Sequence, residues 1–251
     1  MSTDDTMKFS AATFPVVEDS NTGGEALRRI RSFVRREGRM TRAQRRAFVE
    51  CWGRFGVDSG AATLELERLF GRRAPLVLEI GFGDGESLVA MAMVHPEMDY
   101  LGIEVYRPGI GHVLLRAEAL DLSNLRVMCA DAVEVLRQLP DESLERIQIF
   151  FPDPWPKVRH HKRRLIQPPF VEMLVSKLRW AAQLHVATDC EDYAHSILNV
   201  LRAVPELANE ADGDGFAARP AYRPLTRFER RGRRLGHEVW DVLFARSRPG
   251  V

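Results

Sequence analysis

Between residues 75 and 203, short apolar runs alternate with longer stretches whose apolar positions recur every three to four residues. The short runs are 76–80 (LVLEI), 99–105 (DYLGIEV), 124–129 (NLRVMC), 146–151 (RIQIFF) and 183–188 (QLHVAT), and their length and composition predict strands. The longer stretches predict helices over 86–94, 108–121, 131–138, 168–180 and 191–203. Pro96, Pro108, Pro140 and the pair Pro168-Pro169 stand at helix boundaries, where a residue without an N–H is tolerated. A last alternating run, 237–246 (HEVWDVLFAR), predicts a closing strand. The pattern predicts an α/β fold: a Rossmann-like, doubly wound, mostly parallel sheet with helices on both faces and a final antiparallel strand.

Outside this region the signals thin out. Thr41-x-x-Gln44 forms a capping-box pattern opening a helix to about Trp52, and a short helix near 61–70 is expected to stop at Gly71. Residues 1–24 lack periodicity and end in Asn-Thr-Gly-Gly, so a mobile tail is expected there. Residues 25–251 are expected to form one domain, with a basic helical extension over about 25–72. Segment 205–234, rich in Gly, Pro, Arg and Asp, reads as loop. Trp52, Trp180 and Trp240 fall on predicted helices or strands and are expected in the core.

The 251 residues suffice for a sizeable core. Three cysteines without a C-x-x-C pair, and no H-x-x-x-H, speak against a disulfide scaffold or a metal site. The acidic N-terminus has no apolar signal segment, and no stretch approaches the roughly 20 apolar residues of a membrane span, so a cytoplasmic protein is expected, with neither a membrane nor an obligatory protein partner. Charge distribution adds more than the net charge of +1. Residues 28–46 carry nine arginines against Glu37, residues 157–164 carry five cations and no acid, and residues 219–234 carry seven arginines against Glu229. An acidic body with three basic stripes points to a polyanionic partner; each stripe alone could equally be a solvated face.

The candidate chemistry lies at strand ends, where open α/β sheets bind ligands. Glu79-Ile-Gly-Phe-Gly-Asp-Gly85 places Gly81, Gly83 and Gly85 in the first strand-to-helix turn, where the backbone must bend tightly or approach a ligand. Its G-x-G-x-G spacing departs from the dinucleotide pattern G-x-G-x-x-G, which disfavours a nicotinamide oxidoreductase. Glu104 ends the second strand, where an acid can accept hydrogen bonds from ribose hydroxyls, and Asp131 follows the third. Either could instead be a solvated strand end, and Asp131 a helix N-cap. After the fourth strand, prolines 152, 154 and 156 stiffen a loop that holds Asp153 and Trp155 and runs into Lys157, Arg159, His160, His161, Lys162, Arg163 and Arg164. An acid, an aromatic and a basic run suit a nucleotide within a polyanion, although a proline-rich connector with a buried tryptophan would read the same way.

The glycine loop resembles the S-adenosylmethionine loop of class I methyltransferases. The chain as a whole resembles the bacterial tRNA (guanine-N7)-methyltransferases. The matching pieces are RSFVRREGRMTRAQRRA (31–47), LEIGFGDG (78–85), GIEVYRPG (102–109), CADAVEVL (129–136), FFPDPWPKVRHHKRRL (150–165), ATDCEDYA (187–194) and RPLTRFERRGRRLGHEVWDVLF (223–244). The resemblance implies that Glu79, Gly81, Gly83, Gly85, Glu104, Asp131 and Asp153 line the pocket for S-adenosylmethionine, with Asp153 also catalytic at the reacting centre. It implies that Lys157, Asp189, Thr226, Arg227, Phe228 and Glu229 contact the substrate guanosine, that 159–164 touches RNA, and that the target is guanine in the variable loop of tRNA. One departure is visible: Arg227 stands where the family's Thr-x-Phe-Glu motif often has lysine, and a guanidinium fork differs in reach from an ammonium. Two rivals remain at this stage, a class I methyltransferase for small molecules or proteins and a non-catalytic RNA-binding module on the same fold. The first leaves three arginine stripes without a purpose, and the second leaves the acids at 79, 104, 131 and 153 without one.

Overall fold

The computed structural model describes residues 38–60, 62–213 and 215–248. The tail expected over 1–24, and Arg28, Arg29, Arg31, Arg35 and Arg36 of the first basic stripe, lie outside the described residues. Helix α1 (Arg42–Glu50) begins with the expected capping box: the Thr41 hydroxyl accepts from the Gln44 N–H at 3.2 Å, and Gln44 Oε1 accepts from the Thr41 N–H at 2.8 Å. The chain continues through α2 (Trp52–Phe55), β1 (Gly56–Val57) and α3 (Leu66–Phe70), which stops at the left-handed Gly71. Alternation then sets in with β2 (Leu76–Ile80), α4 (Glu86–Val94), β3 (Asp99–Ile103), α5 (Arg107–Ala119), β4 (Leu125–Met128), α6 (Ala132–Gln138) and β5 (Leu144–Phe150). A 3₁₀ helix (Val158–Arg163) leads to α7 (Pro168–Lys177), β6 (Leu178–Thr188), α8 (Glu191–Arg202), β7 (Leu207–Asn209), α9 (Arg227–Arg234) and β8 (Trp240–Arg246).

The strands form one sheet in the order β1-β4-β3-β2-β5-β6-β8-β7. Every pairing from β1 to β6 is parallel, and β8 runs antiparallel between β6 and β7. Progression along the sheet reverses between β2 and β5, so their carboxyl ends flank the switch-point crevice. Alternate strand residues feed two cores. Leu76, Leu78, Ile80, Ile147, Ile149, Leu184 and Val186 face the layer that contains α6, α7 and α8, whereas Val77, Tyr100, Leu125 and Val127 face α1, α4 and α5. Each fully buried aliphatic side chain contributes about 1.5–3 kcal/mol.

Three differences from the sequence reading have physical causes. The N-terminal extension is not helical throughout, because β1 pairs with β4 and adds an edge strand to the sheet. The expected loop 205–234 contains β7 and α9; the first is only three residues long, and the second has no apolar stripe to betray it. Trp180 is not in the core but 41% exposed, since α7 ends at Lys177 and the chain passes straight into β6, where the Arg246 guanidinium lies 4.1 Å from the indole centroid.

Candidate active site

The turn after β2 is built by glycines in the left-handed region, with φ of 74° at Gly81, 59° at Gly83 and 73° at Gly85. A Cβ at Gly81 or Gly83 would meet nothing within 4 Å, which leaves an open cradle above the backbone, whereas at Gly85 it would fall 2.0 Å from Val113 Cγ2. Gly81 and Gly83 therefore face room for a ligand, and Gly85 is required by the packing of α5 on the loop. Glu104 fastens the loop to the end of β3. Its Oε2 accepts from the Gly83 N–H at 2.8 Å, and its Oε1 accepts from the N–H groups of Val105 at 2.7 Å and Tyr106 at 2.9 Å. A carboxylate offers about four acceptor positions, so the Glu104 pair retains capacity for a hydroxyl.

Glu79, at the end of β2, is 2% exposed. Burial pushes its carboxyl up to about 8 against the hydrogen bond from Gln148 Nε2 at 2.8 Å, and the negative charges of Glu104 and Asp84 add to the rise. Among the described residues no cation is paired with Glu79, so the wall of this crevice offers carboxyl acceptors suited to a positively charged ligand with hydroxyl groups. Asp131 realises its N-cap role, with Oδ1 accepting from the Val133 N–H at 2.8 Å at the start of α6. Asp189 follows β6 directly, so Glu79 in the last paired residues of β2, and Glu104, Asp131, Asp153 and Asp189 just beyond the ends of β3, β4, β5 and β6, gather at the carboxyl edge of the sheet.

The loop after β5 holds Asp153 exposed between strained neighbours: Phe151 has φ 53° and Trp155 φ 45°, both in a region side chains disfavour. Arg164 braces it from inside. Contrary to the expectation that it touches RNA with the rest of the basic run, Arg164 is 3% exposed, donates from Nε to the Pro154 carbonyl at 2.9 Å, pairs with Asp192 and stacks on Tyr193 at 4.7 Å. Arg159, Lys162 and Arg163 are exposed, as is Lys157, while His160 and His161 are half-buried. Arg163 and His160 pack on Trp155, with the guanidinium 5.0 Å and the imidazole centroid 5.8 Å from its ring.

The Thr226–Glu229 segment forms the first turn of α9. Thr226 caps it by accepting from the Glu229 N–H at 3.2 Å, Arg227 and Phe228 are exposed, and Phe228 meets Phe151 edge-on at 5.0 Å. Glu229, expected to contact guanosine, instead turns inward at 1% exposure. Its Oε2 accepts from Arg223 NH1 at 2.6 Å, and its Oε1 from Arg223 NH2 at 3.2 Å and Arg233 NH2 at 3.0 Å. Arg223 grips Asp241 with its other donors, at 2.7 and 2.9 Å, and Asp241 also takes the His185 ring at 2.7 Å. The Asp241 carboxylate only accepts, so the His185 proton sits on Nε2 and Nδ1 accepts from the Tyr222 hydroxyl at 2.9 Å. Burial holds the His185 pKa below its usual value, and the ring is neutral despite its acidic partner. His185, Tyr222, Arg223 and Asp241 were not singled out from the sequence; a histidine inside the apolar run QLHVAT and an aspartate inside VWDVLF were the available signals.

The described part of the first basic stripe, residues 39–46, and the other two stripes approach this end of the sheet. Gln44 Nε2 donates to the Pro108 carbonyl at 3.0 Å and seats α1 beside the start of α5, next to Glu104. The 3₁₀ run follows Asp153, and α9 reaches the glycine loop through Glu86. No helix among the described residues is long and apolar enough to cross a membrane.

A family model described as "Putative methyltransferase" matches residues 73–242. The tRNA (guanine-N(7)-)-methyltransferase of Photorhabdus laumondii subsp. laumondii is 54% identical over 224 residues, which cover 89% of this chain and 94% of that protein. The protein of the same name from Edwardsiella ictaluri is 52% identical over 92% of this chain and 98% of its own length. The solved antibiotic-resistance methyltransferase Kmr aligns with a TM-score of 0.50 at 16% identity, over 74% of this chain and 93% of that one, a likeness of fold alone. This chain belongs to the tRNA (guanine-N(7)-)-methyltransferase family.

Proposed function

We propose that this protein methylates N7 of a guanine in the variable loop of tRNA, with S-adenosylmethionine as methyl donor. The observation that carries the reading is the glycine cradle at the switch point, walled by carboxylates and bordered by the basic 3₁₀ run, α9 and the described start of α1. When bound, the cofactor would supply a methyl group on cationic sulfur, which would pass to the guanine N7 lone pair while sulfur keeps the electrons of the carbon–sulfur bond, with no proton to remove. The chain's residues therefore act mainly by positioning and electrostatics. Gly81 and Gly83 open the cradle and Gly85 shapes it; Glu79, Glu104 and Asp131 hold the cofactor's polar groups, with ribose hydroxyls on Glu104. Asp153 faces the reacting centre. Lys157, Asp189, Thr226, Arg227 and Phe228 hold the guanosine, and Arg159, His160, His161, Lys162 and Arg163 meet RNA. Arg164 and Glu229 act from inside, as positioning residues for the Asp153 loop and for α9.

The test is methyl transfer from labelled S-adenosylmethionine to unmodified tRNA transcript, with N7-methylguanine mapped by reduction and chain cleavage. Label on one variable-loop guanine is expected. Label on another base or another acceptor class would overturn the reading.

Glu79 makes cofactor binding pH-dependent. With its pKa near 8, the carboxyl is mostly protonated at pH 7 in the ligand-free protein, and a cationic ligand draws it into the ionised form. Affinity for S-adenosylmethionine is expected to rise about tenfold from pH 6.5 to 8 and then level off. The folded state binds this proton where the unfolded chain does not, between about 4.5 and about 8, so the group takes stability away as pH rises through that window and bound cofactor restores it. Calorimetric titration of Glu79→Gln in parallel cancels the ligand's own ionisation; identical pH slopes in both proteins would refute the assignment.

A further inference from the structure

Glu86 is the first residue of α4, directly after the glycine loop, yet its side-chain hydrogen bonds go to another helix. Its Oε2 accepts from the backbone N–H of Arg227 at 2.8 Å, and its Oε1 accepts from Arg230 NH2 at 3.2 Å. Arg227 is the first residue of α9, and its N–H is one of the groups a helix start leaves without an intrahelical partner. Thr226 satisfies the N–H of Glu229, so α9 is capped twice, once by its own threonine and once by a glutamate 141 positions away in sequence. The carboxylate is 23% exposed and lies between the positive N-terminal ends of two helices, with a guanidinium beside it.

Apolar packing does little to hold α9. Within Arg227–Arg234 the one buried residue is Glu229, and Phe228 is 55% exposed. Beside the edge contact of Phe228 with Phe151, the helix is held by ionic contacts at two points: Glu229 through Arg223 and Asp241 ties it to β8, and Glu86 ties its first turn to the glycine loop. The first anchor is buried and tight. The second spans the two halves of the site, since one end carries the loop for the cofactor and the other the Thr226–Phe228 turn for the guanosine.

We infer that Glu86 is a positioning residue that couples cofactor binding to tRNA binding, an inference that rests on the function proposed above. Ordering of Gly81–Gly85 around the cofactor fixes the start of α4, Glu86 carries that order to Arg227 and Arg230, and the guanosine-binding turn of α9 is set before RNA arrives. Coupling of this kind is reciprocal, so tRNA must tighten cofactor binding by the same factor.

The experiment measures the affinity of the full-length protein for S-adenosylhomocysteine by calorimetry, alone and with saturating tRNA transcript. For the native sequence a tightening of about fivefold to tenfold is expected. In Glu86→Ala the factor should fall to about one while affinity in the absence of tRNA changes less than twofold. Glu86→Gln, which still accepts from the Arg227 N–H, should recover part of the factor. Arg230→Ala, which leaves the glycine loop untouched, should lose part of it from the opposite side. An unchanged factor in Glu86→Ala would overturn the inference, and so would a collapse of affinity without tRNA, which would make Glu86 a structural part of the loop. Failure of the native protein to methylate tRNA at all would strike the proposed function instead, and the two failures are distinguishable.

Discussion

Replacing Arg223 by methionine is expected to lower the melting temperature by about 10 °C and to raise the tRNA KM several-fold, with cofactor affinity retained. The guanidinium is 1% exposed and donates to two carboxylates that are equally buried, Asp241 on β8 and Glu229 on α9. Neither acid has a solvent escape: without the guanidinium Glu229 keeps only Arg233 and Asp241 only the neutral His185 ring, and removing one partner of a buried ion pair costs about 3–5 kcal/mol. In a chain of this size each kcal/mol is about 2–4 °C. Burial disfavours the charged guanidinium, but the two carboxylates outweigh it and raise the Arg223 pKa; burial likewise pushes the Asp241 carboxyl up, and the His185 and Arg223 hydrogen bonds reverse that and hold it down. The functional part of the effect follows from α9 having Glu229 as its inner anchor. With that anchor gone, Thr226, Arg227 and Phe228 lose their place opposite the cofactor cradle, whose own hydrogen bonds through Glu104 are untouched. Adding Glu229→Gln and Asp241→Asn to the methionine variant removes the stranded charges and is expected to restore part of the melting temperature. Scanning calorimetry decides: a fall below about 2 °C for Arg223→Met would mean that the cluster holds nothing in place.

The same cluster marks the limit of what local pattern conveys. Helix α4 was legible to the residue, 86–94, because Gly85 and Pro96 punctuate it, and β2 because five consecutive apolar-run residues are buried on both faces of a parallel sheet. The positions of Glu79, Glu104 and Asp131 at the carboxyl ends of the strands were legible because the strands themselves were. Arg164 was not, since nothing in His-His-Lys-Arg-Arg separates it from Arg163; its partner Asp192 lies 28 positions on, and only the packed structure selects which arginine turns inward. Helix α9 has arginine where an amphipathic helix would show apolar residues, so periodicity failed there. Its capping pattern, Thr226 followed three residues later by Glu229, was present and would have found it. His185 and Asp241 looked like interruptions of apolar strands. They sit on one face because β6 and β8 pair antiparallel, a relation set across more than fifty residues of chain.

Changing Asp153 to asparagine is expected to lower kcat about 100-fold, with tRNA KM and cofactor affinity each moving less than about threefold. Guanine N7 carries no proton, so the carboxylate is not needed as a base. Attack by N7 moves positive charge onto the purine, and a fixed negative charge beside it favours the transition state over the ground state. Loss of one preorganised electrostatic partner costs about 3 kcal/mol, which is the 100-fold. The loop is built to keep that charge still: prolines flank Asp153 on both sides, Phe151 and Trp155 hold positive φ, and Arg164 clamps the Pro154 carbonyl from the protein interior. Strain at two residues persists only where the surroundings enforce it, and Arg164 with Asp192 and Tyr193 supplies that enforcement. Asparagine keeps the size and most hydrogen-bonding geometry of aspartate, so a variant that folds and binds normally isolates the charge. Single-turnover methyl transfer is the measurement, and turnover within threefold of native in Asp153→Asn would remove the residue from the reaction altogether.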